Sequence, residues 1–287
     1  MKKILVTGVG GPAGRSLAAM LTERNYSLVG VDMQRLSVAG FPFFQVPPAK
    51  DPDFLRAVRQ VAQENGVDLI IPTVSEELPV FASQWKYGDQ QPVLVSSARA
   101  VEIANDKYLS ALTLAQQGVS VPRFMLPSQA HSPDDISRAI GWPCISKPRV
   151  GRGGREVKLR FEQDFSAIQA LGDGYILQEF APGTDFAPNV FAGKNGDDLV
   201  VVLEKTELKN GIVGNALSVR RVDGKDVGAT ALAAARALQL YGPSDIDIRQ
   251  RADGVPVVLE INARFGANIR HAPEILEAAL SQMETAR

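Results

Sequence analysis

The sequence predicts a mixed chain, α/β in its first third and α+β beyond it. Two observations carry the first part. The chain opens as strand, glycine-rich turn, helix and strand, and short apolar runs then alternate with amphipathic helical segments up to about residue 97. A third observation carries the rest, where β-rich stretches dominate and place polar residues two apart, so that they share one face of a strand.

At 287 residues the chain can bury a sizeable core, and 45% apolar with 22% charged residues is the composition of a folded globular protein. Lys and Arg number 31 against 32 for Asp and Glu, so no global field favours nucleic acid or an anionic membrane. A small-molecule partner is expected. The single Cys144 has no disulfide partner within the chain, and there is no Cys/His framework for zinc. Met1-Lys2-Lys3 has the charge of an export signal, but the apolar run after it breaks at Gly8, Gly10 and Gly11, and no later run is long enough to span a bilayer. The expected location is the cytoplasm.

Ile4-Leu5-Val6 is a short strand, Thr7 to Gly14 a glycine turn, and Arg15 to Arg24 a helix, after which Ser27 to Asp32 forms a second strand ending in an acid. Such a βαβ unit offers backbone N–H groups and a helix N-terminus to an anion. It also fits the Thr-Gly-x-x-Gly-x-x-Gly form of short-chain dehydrogenases and nucleotide-sugar epimerases, with Asp32 placed for a ribose. That chemistry needs a Tyr followed four residues later by Lys. None of Tyr26, Tyr87, Tyr108, Tyr175 and Tyr241 meets the condition. Pro52 to Asn65 puts Phe54, Leu55, Val58, Val61 and Ala62 on one helical face, with Gly66 as the stop. Val67 to Val74 and Val93 to Ser96 are two more strands of a small parallel sheet covered on both sides, and the first domain ends near Ser97. Ser75-Glu76-Glu77, just beyond the third strand, lies where ligands of such sheets bind, although a solvated helix start explains the acids equally well.

From Ala98 the chain turns helical, and Asn105 or Asp106 caps a helix with Lys107 and Tyr108 in its first turn. The macrodipole disfavours a cation there, so Lys107 is either held for an anion or neutralised by Asp106. Val121 to Leu126 is a strand and Pro133 to Ile140 a short helix. Trp142 to Pro148 is a strand with Lys147 near its end, followed by the loop Arg149 to Arg155, rich in glycine and arginine. Backbone amides and cations in such a loop suit a polyphosphate, while a Walker pattern is absent.

Tyr175 to Phe180 is a strand, and Ala181 to Phe186 turns into another. Glu179 and Asp185 flank a connection suited to a purine and its ribose. Leu199 to Lys205 and Ile212 to Val219 are β stretches, and Val227 to Leu240 is an alanine-rich helix. Gly242 to Ile248 carries two acids on one face, and Gly254 turns it into Val257 to Asn262. Glu260 and Asn262 leave the same face there while Ile261 points into the core, and Arg264 follows beyond the strand. On adjacent antiparallel strands Asp247, Glu260 and Asn262 suit Mg²⁺, which takes a few protein oxygens and completes its octahedron with phosphate and water. Pro273 to Met283 closes the chain as a helix. His131, in a Ser/Pro-rich loop, and His271, beside Arg270, are given no catalytic part.

Lys107, then Lys147 with its glycine loop, then Gln178-Glu179 with Gly183-Thr184-Asp185, and finally Asp247 with Glu260-Ile261-Asn262-Ala263-Arg264 resemble in order and spacing the ATP-grasp superfamily, in its carbamoyl-phosphate-synthase-like and carboxylate–amine ligase branches. The resemblance implies an N-terminal Rossmann-like pre-ATP-grasp domain (1–97), an ATP-grasp small subdomain with linker helices (98–174) and a large C-terminal subdomain (175–287). It implies phosphate contacts from Lys107 and Lys147, a lid at Gly151, Gly153 and Gly154, and nucleotide contacts at Gln178, Glu179 and Phe180, with Glu179 and nearby backbone holding adenine. Asp185 would hold the ribose, Asp247, Glu260 and Asn262 the Mg²⁺ (or Mn²⁺), and Arg264 the transferring phosphoryl group, with Lys147 beside it in catalysis. Two positions depart from the family pattern. Asp185 stands where a glutamate is usual, and Ala263 where a proline is usual.

The activity so implied is an ATP- and Mg²⁺-dependent carboxylate–amine (or thiol) ligase. It activates a small-molecule acid as an acyl phosphate for attack by an amine or similar nucleophile and releases ADP and phosphate. Expected partners are those two substrates, without nucleic acid or membrane, and a homodimer is compatible. Two alternatives stand beside it: an NAD(P)-dependent dehydrogenase or epimerase built on the glycine turn, and a nucleotide-binding regulator without turnover.

Overall fold

The computed structural model describes residues 2–37, 40–85, 91–151, 153–210 and 213–285; Met1, Tyr87, Arg152 and Ile212 lie outside the described residues. Three sheets organise the chain.

The first is parallel, with β1 (Lys3–Val6), β2 (Ser27–Asp32), β3 (Phe43–Gln45) and β4 (Leu69–Ile71) in the order β3-β2-β1-β4. Alternation along β1 decides its two faces. Ile4 and Val6 pack with Leu17 and Leu21 of α1 (Pro12–Glu23), whereas Leu5 packs with Phe54 and Val58 of α2 (Phe54–Glu64) and Phe81 of α3 (Leu78–Gln84). The expected strand at Val93 to Ser96 is reduced to one parallel bridge, Val93 with Ile70, because the chain leaves the sheet edge after that pair.

α4 (Ala98–Asn105) and α5 (Lys107–Gln116) follow, joined at Asp106, whose side chain accepts from the Tyr108 and Leu109 N–H groups as an N-cap. β5 (Phe124–Met125), α6 (Pro133–Ala139), β6 (Cys144–Pro148), β7 (Lys158–Arg160), α7 (Phe165–Gln169) and β8 (Tyr175–Glu179) form an antiparallel unit of strand order β5-β8-β6-β7. Cys144 and Leu177 face a core with Ile136 and Ile168 under α6 and α7. Ile145, Lys147 and Gln178, the alternate residues, face a cavity. Because β8 pairs with β6 from Cys144↔Glu179 to Pro148↔Tyr175, this sheet runs through Glu179. The division expected after residue 174 lies between these two paired strands.

The largest sheet holds β9 (Asp185–Phe186), β10 (Asn189–Ala192), β11 (Leu199–Val201), β12 (Leu203–Asn210), β13 (Val213–Arg221), β14 (Gly242–Gln250) and β15 (Pro256–Asn262), with α8 (Lys225–Ala237) before β14 and α9 (Pro273–Thr285) at the end. Its order is β11-β10-β14-β9-β12-β13, with β15 on β14. Ile246, Ile248, Val258 and Ile261 pack against α4, α5 and α8, so α4 and α5 belong to the core of the large sheet. The face of β14 and β15 opposite those residues carries acids. No helix among the described residues is long and apolar enough to cross a membrane.

Candidate functional site

The hairpin of β14 and β15 fixes the acids. Its register places Asp247 opposite Glu260 and Asp245 opposite Asn262, so three carboxylates and a carboxamide share one face. They line a cavity of about 550 Å³, within the range of ligand sites. Its opposite wall is the small sheet, with Ile145, Lys147, Gln178, Glu179 and Phe180, and its mouth carries Gly153, Gly154 and Arg155. At the far end lie Gly8, Gly11, Ala13 and Thr73-Val74-Ser75 of the first sheet, together with Arg264 and Asn268.

Cations meet these acids in specific pairs. Lys107, 5% exposed, bridges Glu260 Oε1 at 3.2 Å and the Gly151 carbonyl at 3.1 Å. It therefore stands against both the glycine loop and the acidic strand, and Asp106 pairs with Arg149 at 2.6 Å instead. Lys205 pairs with Asp247 and, at 3.0 Å, with Asp185. Burial opposes its charge, yet the two carboxylates hold Lys205 well above the ordinary lysine range. Asp185 is raised in turn, by burial first and by Asp247, against the pull of Lys205 and of Arg249, whose Nη2 lies 3.4 Å away. Lys147 differs, because it donates at 2.8 Å to the neutral Leu259 carbonyl. Burial, with Lys107 adding to it and Glu260 opposing, lowers it to about 8.

Arg264 is held at all three nitrogens. Nη1 donates to the Phe265 carbonyl at 2.9 Å, Nη2 to Asn262 Oδ1 at 3.0 Å, and Nε to Ser75 Oγ at 3.3 Å. Asp245 Oδ2 lies 3.9 Å from Nη1, while Asp245 Oδ1 is buried without a hydrogen-bond partner. Burial, and then Asp247, push Asp245 up to about 6.

Of the residues expected from the sequence, Lys147, Gly153, Gly154, Gln178, Glu179, Phe180, Asp185, Asp247, Glu260, Asn262 and Arg264 line the one cavity, and Lys107 and Gly151 touch each other at its edge. Two of these carboxylates have partners within the chain that the sequence reading did not foresee. The Glu179 carboxylate is occupied by the Arg123 N–H at 3.0 Å and by Arg123 and Arg251 at 3.3 and 3.4 Å. Burial opposes its ionisation, but these donors hold it below the usual range. Asp185 is likewise tied to Lys205 and Arg249. Asp247, Glu260 and Asn262 are close enough to act together, though among the described residues no three His, Cys, Asp or Glu side chains are arranged as a metal centre. Lys205 and Arg249 were not anticipated, and Asp245, read from the sequence as the second acid on that face, had been given no role. The signal for Arg249 was present, since Asp245, Asp247 and Arg249 are each two apart on one strand.

At the glycine turn, Asp32 accepts from Gly10 N–H at 2.9 Å and Gln34 N–H at 2.9 Å, so both its oxygens serve the turn itself. Gly14 lies against the Gly8 carbonyl so closely that a Cβ would overlap it, which marks helix-on-strand packing.

Fold and site together define a protein built around one charged cavity, with Lys147 on the small-sheet wall, Lys205 and the acids on the large-sheet wall and a glycine loop at the mouth. The family model for the ATP-grasp domain matches residues 104–268, and the chain belongs to that family. A D-alanine–D-alanine ligase of Coprothermobacter proteolyticus is 31% identical over 39% of this chain, a match spanning 38% of that relative. A carbamoyl-phosphate synthase of Methanobrevibacter smithii is 22% identical over 86% of this chain and 68% of its own. The N5-carboxyaminoimidazole ribonucleotide synthetase structure from Thermotoga maritima superimposes with a TM-score of 0.72, covering 99% of this chain and 76% of that one at 20% identity, a likeness of fold. The superfamily and ligase class expected from the sequence are those of these relatives.

Proposed function

We propose that the chain is an ATP- and Mg²⁺-dependent ligase. A substrate carboxylate oxygen attacks the γ-phosphorus of ATP and the bond to the β-phosphate oxygen breaks, giving an acyl phosphate and ADP. An amine or similar nucleophile then attacks the acyl carbon, the C–O bond to phosphate breaks, and the amine proton leaves to solvent. The observation that carries this is the juxtaposition of Lys107, Lys147, Lys205 and Arg264 with the Asp247–Glu260 pair around one cavity closed by a glycine loop. Phosphoryl transfer asks mainly for positioned charge, and this set provides it.

The donor chemistry fits the metal. Asp247, Glu260 and Asn262 supply hard oxygens on neighbouring positions of paired strands. When bound there, Mg²⁺ would neutralise phosphate charge. Lys147 and Lys107 would hold phosphate oxygens, Arg264 would steady the transferring group, and Ile145, Phe180 and Leu259 would exclude water beside the base. The acid substrate is assigned to the end lined by Arg264, Asn268 and the glycine turn.

The proposed domain division keeps 1–97 as the pre-ATP-grasp domain. The small subdomain extends through β8 to Glu179, and the large subdomain follows.

Hydroxylamine trapping tests the reaction: candidate acids are supplied with Mg-ATP, and the hydroxamate is identified by mass alongside ADP. A hydroxamate names the acid and the acyl phosphate together. Thermal stabilisation by NAD(P) and none by Mg-ATP would overturn the proposal, as would ATP binding without ADP release across a broad panel of acids and amines.

A further inference from the structure

The first sheet delivers one side chain to the arginine at the reacting end. Arg264 Nε donates to Ser75 Oγ at 3.3 Å, across 189 residues of sequence, whereas the other two guanidinium bonds are local, to Asn262 and Phe265. Ser75 is itself built in. Its carbonyl accepts from Asn105 Nδ2 at 3.1 Å, just before the Asp106 cap and Lys107. The loop leading to it is strapped onto the end of β1, because Thr73 N–H donates to Thr7 Oγ1 at 3.2 Å, Thr73 Oγ1 donates to the Thr7 carbonyl at 2.8 Å, and Thr7 Oγ1 donates to Glu77.

Gly8 makes this approach possible. It sits at φ +55° with the Val74 side chain in the space a Cβ would need, so only glycine lets the loop 73–75 lie this close. The opposing pull is also on the page. Asp245 Oδ2 is 3.9 Å from Arg264 Nη1, and its other oxygen lacks a donor. A guanidinium released from Ser75 gains by closing on that carboxylate, which moves its fork from the present position.

We infer that Ser75 is a positioning residue for Arg264, and that the glycine turn of the N-terminal domain serves this reaction by pressing the 73–75 loop onto that arginine. The inference rests on the proposed role of Arg264 toward the terminal phosphoryl group of ATP. Ser75 acts against Asp245, keeping the guanidinium fork aimed at the phosphoryl position.

Titration calorimetry with Mg-ATP and Mg-ADP tests it on the full chain, with Ser75→Ala, Ser75→Thr, Arg264→Lys and the double variant Ser75→Ala/Arg264→Lys. ADP lacks the phosphoryl group that Arg264 serves. Ser75→Ala is expected to lower the preference for ATP over ADP by about five- to tenfold, the net worth of one ordinary hydrogen bond, with the Kd for ADP unchanged. Ser75→Thr, which keeps the hydroxyl, retains the preference. In the Arg264→Lys background Ser75→Ala has no further effect, because its consequence passes through the arginine. A wild-type ratio in Ser75→Ala overturns the inference, as do equal losses for ATP and ADP or additive effects in the double variant. A wild-type chain that binds neither nucleotide sinks the ligase proposal itself, and that result is separate from any change between variants.

Discussion

Replacing Asp245 by Asn is expected to stabilise the ligand-free protein. The Asp245 side chain is 16% exposed, its Oδ1 has no donor, and its nearest guanidinium nitrogen stands at 3.9 Å, beyond hydrogen-bond range. Burial, and then Asp247, raise its pKa from 3.8 to about 6. The folded state thus holds a proton that the unfolded state gives up between those values. The penalty is absent below about 3.8, grows as pH rises, and is complete above about 6. A shift of roughly two units corresponds to about 3 kcal/mol. Asn keeps the shape that fits against Gly266, where a Cβ would overlap the Asp245 carboxylate. It removes the charge but leaves a buried amide in need of a partner, so the expected gain is about 2 kcal/mol. For a chain of this size that is a rise of roughly 3 °C in Tm at pH 8, measured by differential scanning calorimetry. At pH 4 the gain should vanish. An unchanged Tm at pH 8, or an equal gain at pH 4, would refute the account of Asp245 as a strained carboxylate.

Lys147, lowered to about 8, carries its charge below that pH and loses it above. ATP affinity should therefore fall as pH rises through about 8, toward tenfold per unit, and a Kd flat from pH 7 to 9.5 in calorimetry would contradict its phosphate role. Glu260→Gln removes one of the two facing carboxylates, so turnover with any acid found by trapping should drop on the order of 100-fold while ADP binding stays measurable. Near-normal turnover would remove Glu260 from the metal set. Mg²⁺ alone should stabilise the protein far less than Mg-ATP in a thermal-shift titration, since Glu260 and Asp247 are already paired with Lys107 and Lys205. Equal shifts would show a preformed metal site.

Period-two alternation and Gly254 made the facing of Asp247 and Glu260 legible, because a hairpin fixes both strands from local sequence. The Asp106 cap and the first βαβ unit were legible for the same reason, each being a short-range device. Long-range pairing was not. Tyr175 to Glu179 reads as a strand, but nothing in it announces that its partner is β6, on the other side of the expected boundary at 174. Glu179 and Asp185 were found by position, while Arg123, Arg251, Lys205 and Arg249, which occupy them, come from three other segments. β3, β7, α3 and α7 have few residues each, and their apolar faces exist only against tertiary neighbours.

The pairing pattern explains how so many charges are assembled around one cavity. Glu260, Asp247 and Asp185 are matched by Lys107, Lys205 and Arg249, and buried charges that are matched avoid most of their desolvation penalty. Under the proposed function, phosphate oxygens would compete for the same lysines. Drawing Lys107 and Lys205 away would leave the charges of Glu260 and Asp247 uncompensated beside the polyphosphate, where a cation would restore balance. Nucleotide and metal would then be coupled through residues that contact each other first. Lys147 and Asp245 stand outside the scheme, one donating to a neutral carbonyl and lowered, the other lacking a donor and raised. Each lacks a counter-charge of its own at hydrogen-bond distance, and they mark the two demands on the cavity: an anion against the small sheet, and a group able to satisfy a carboxylate at the end where Ser75 and Arg264 meet.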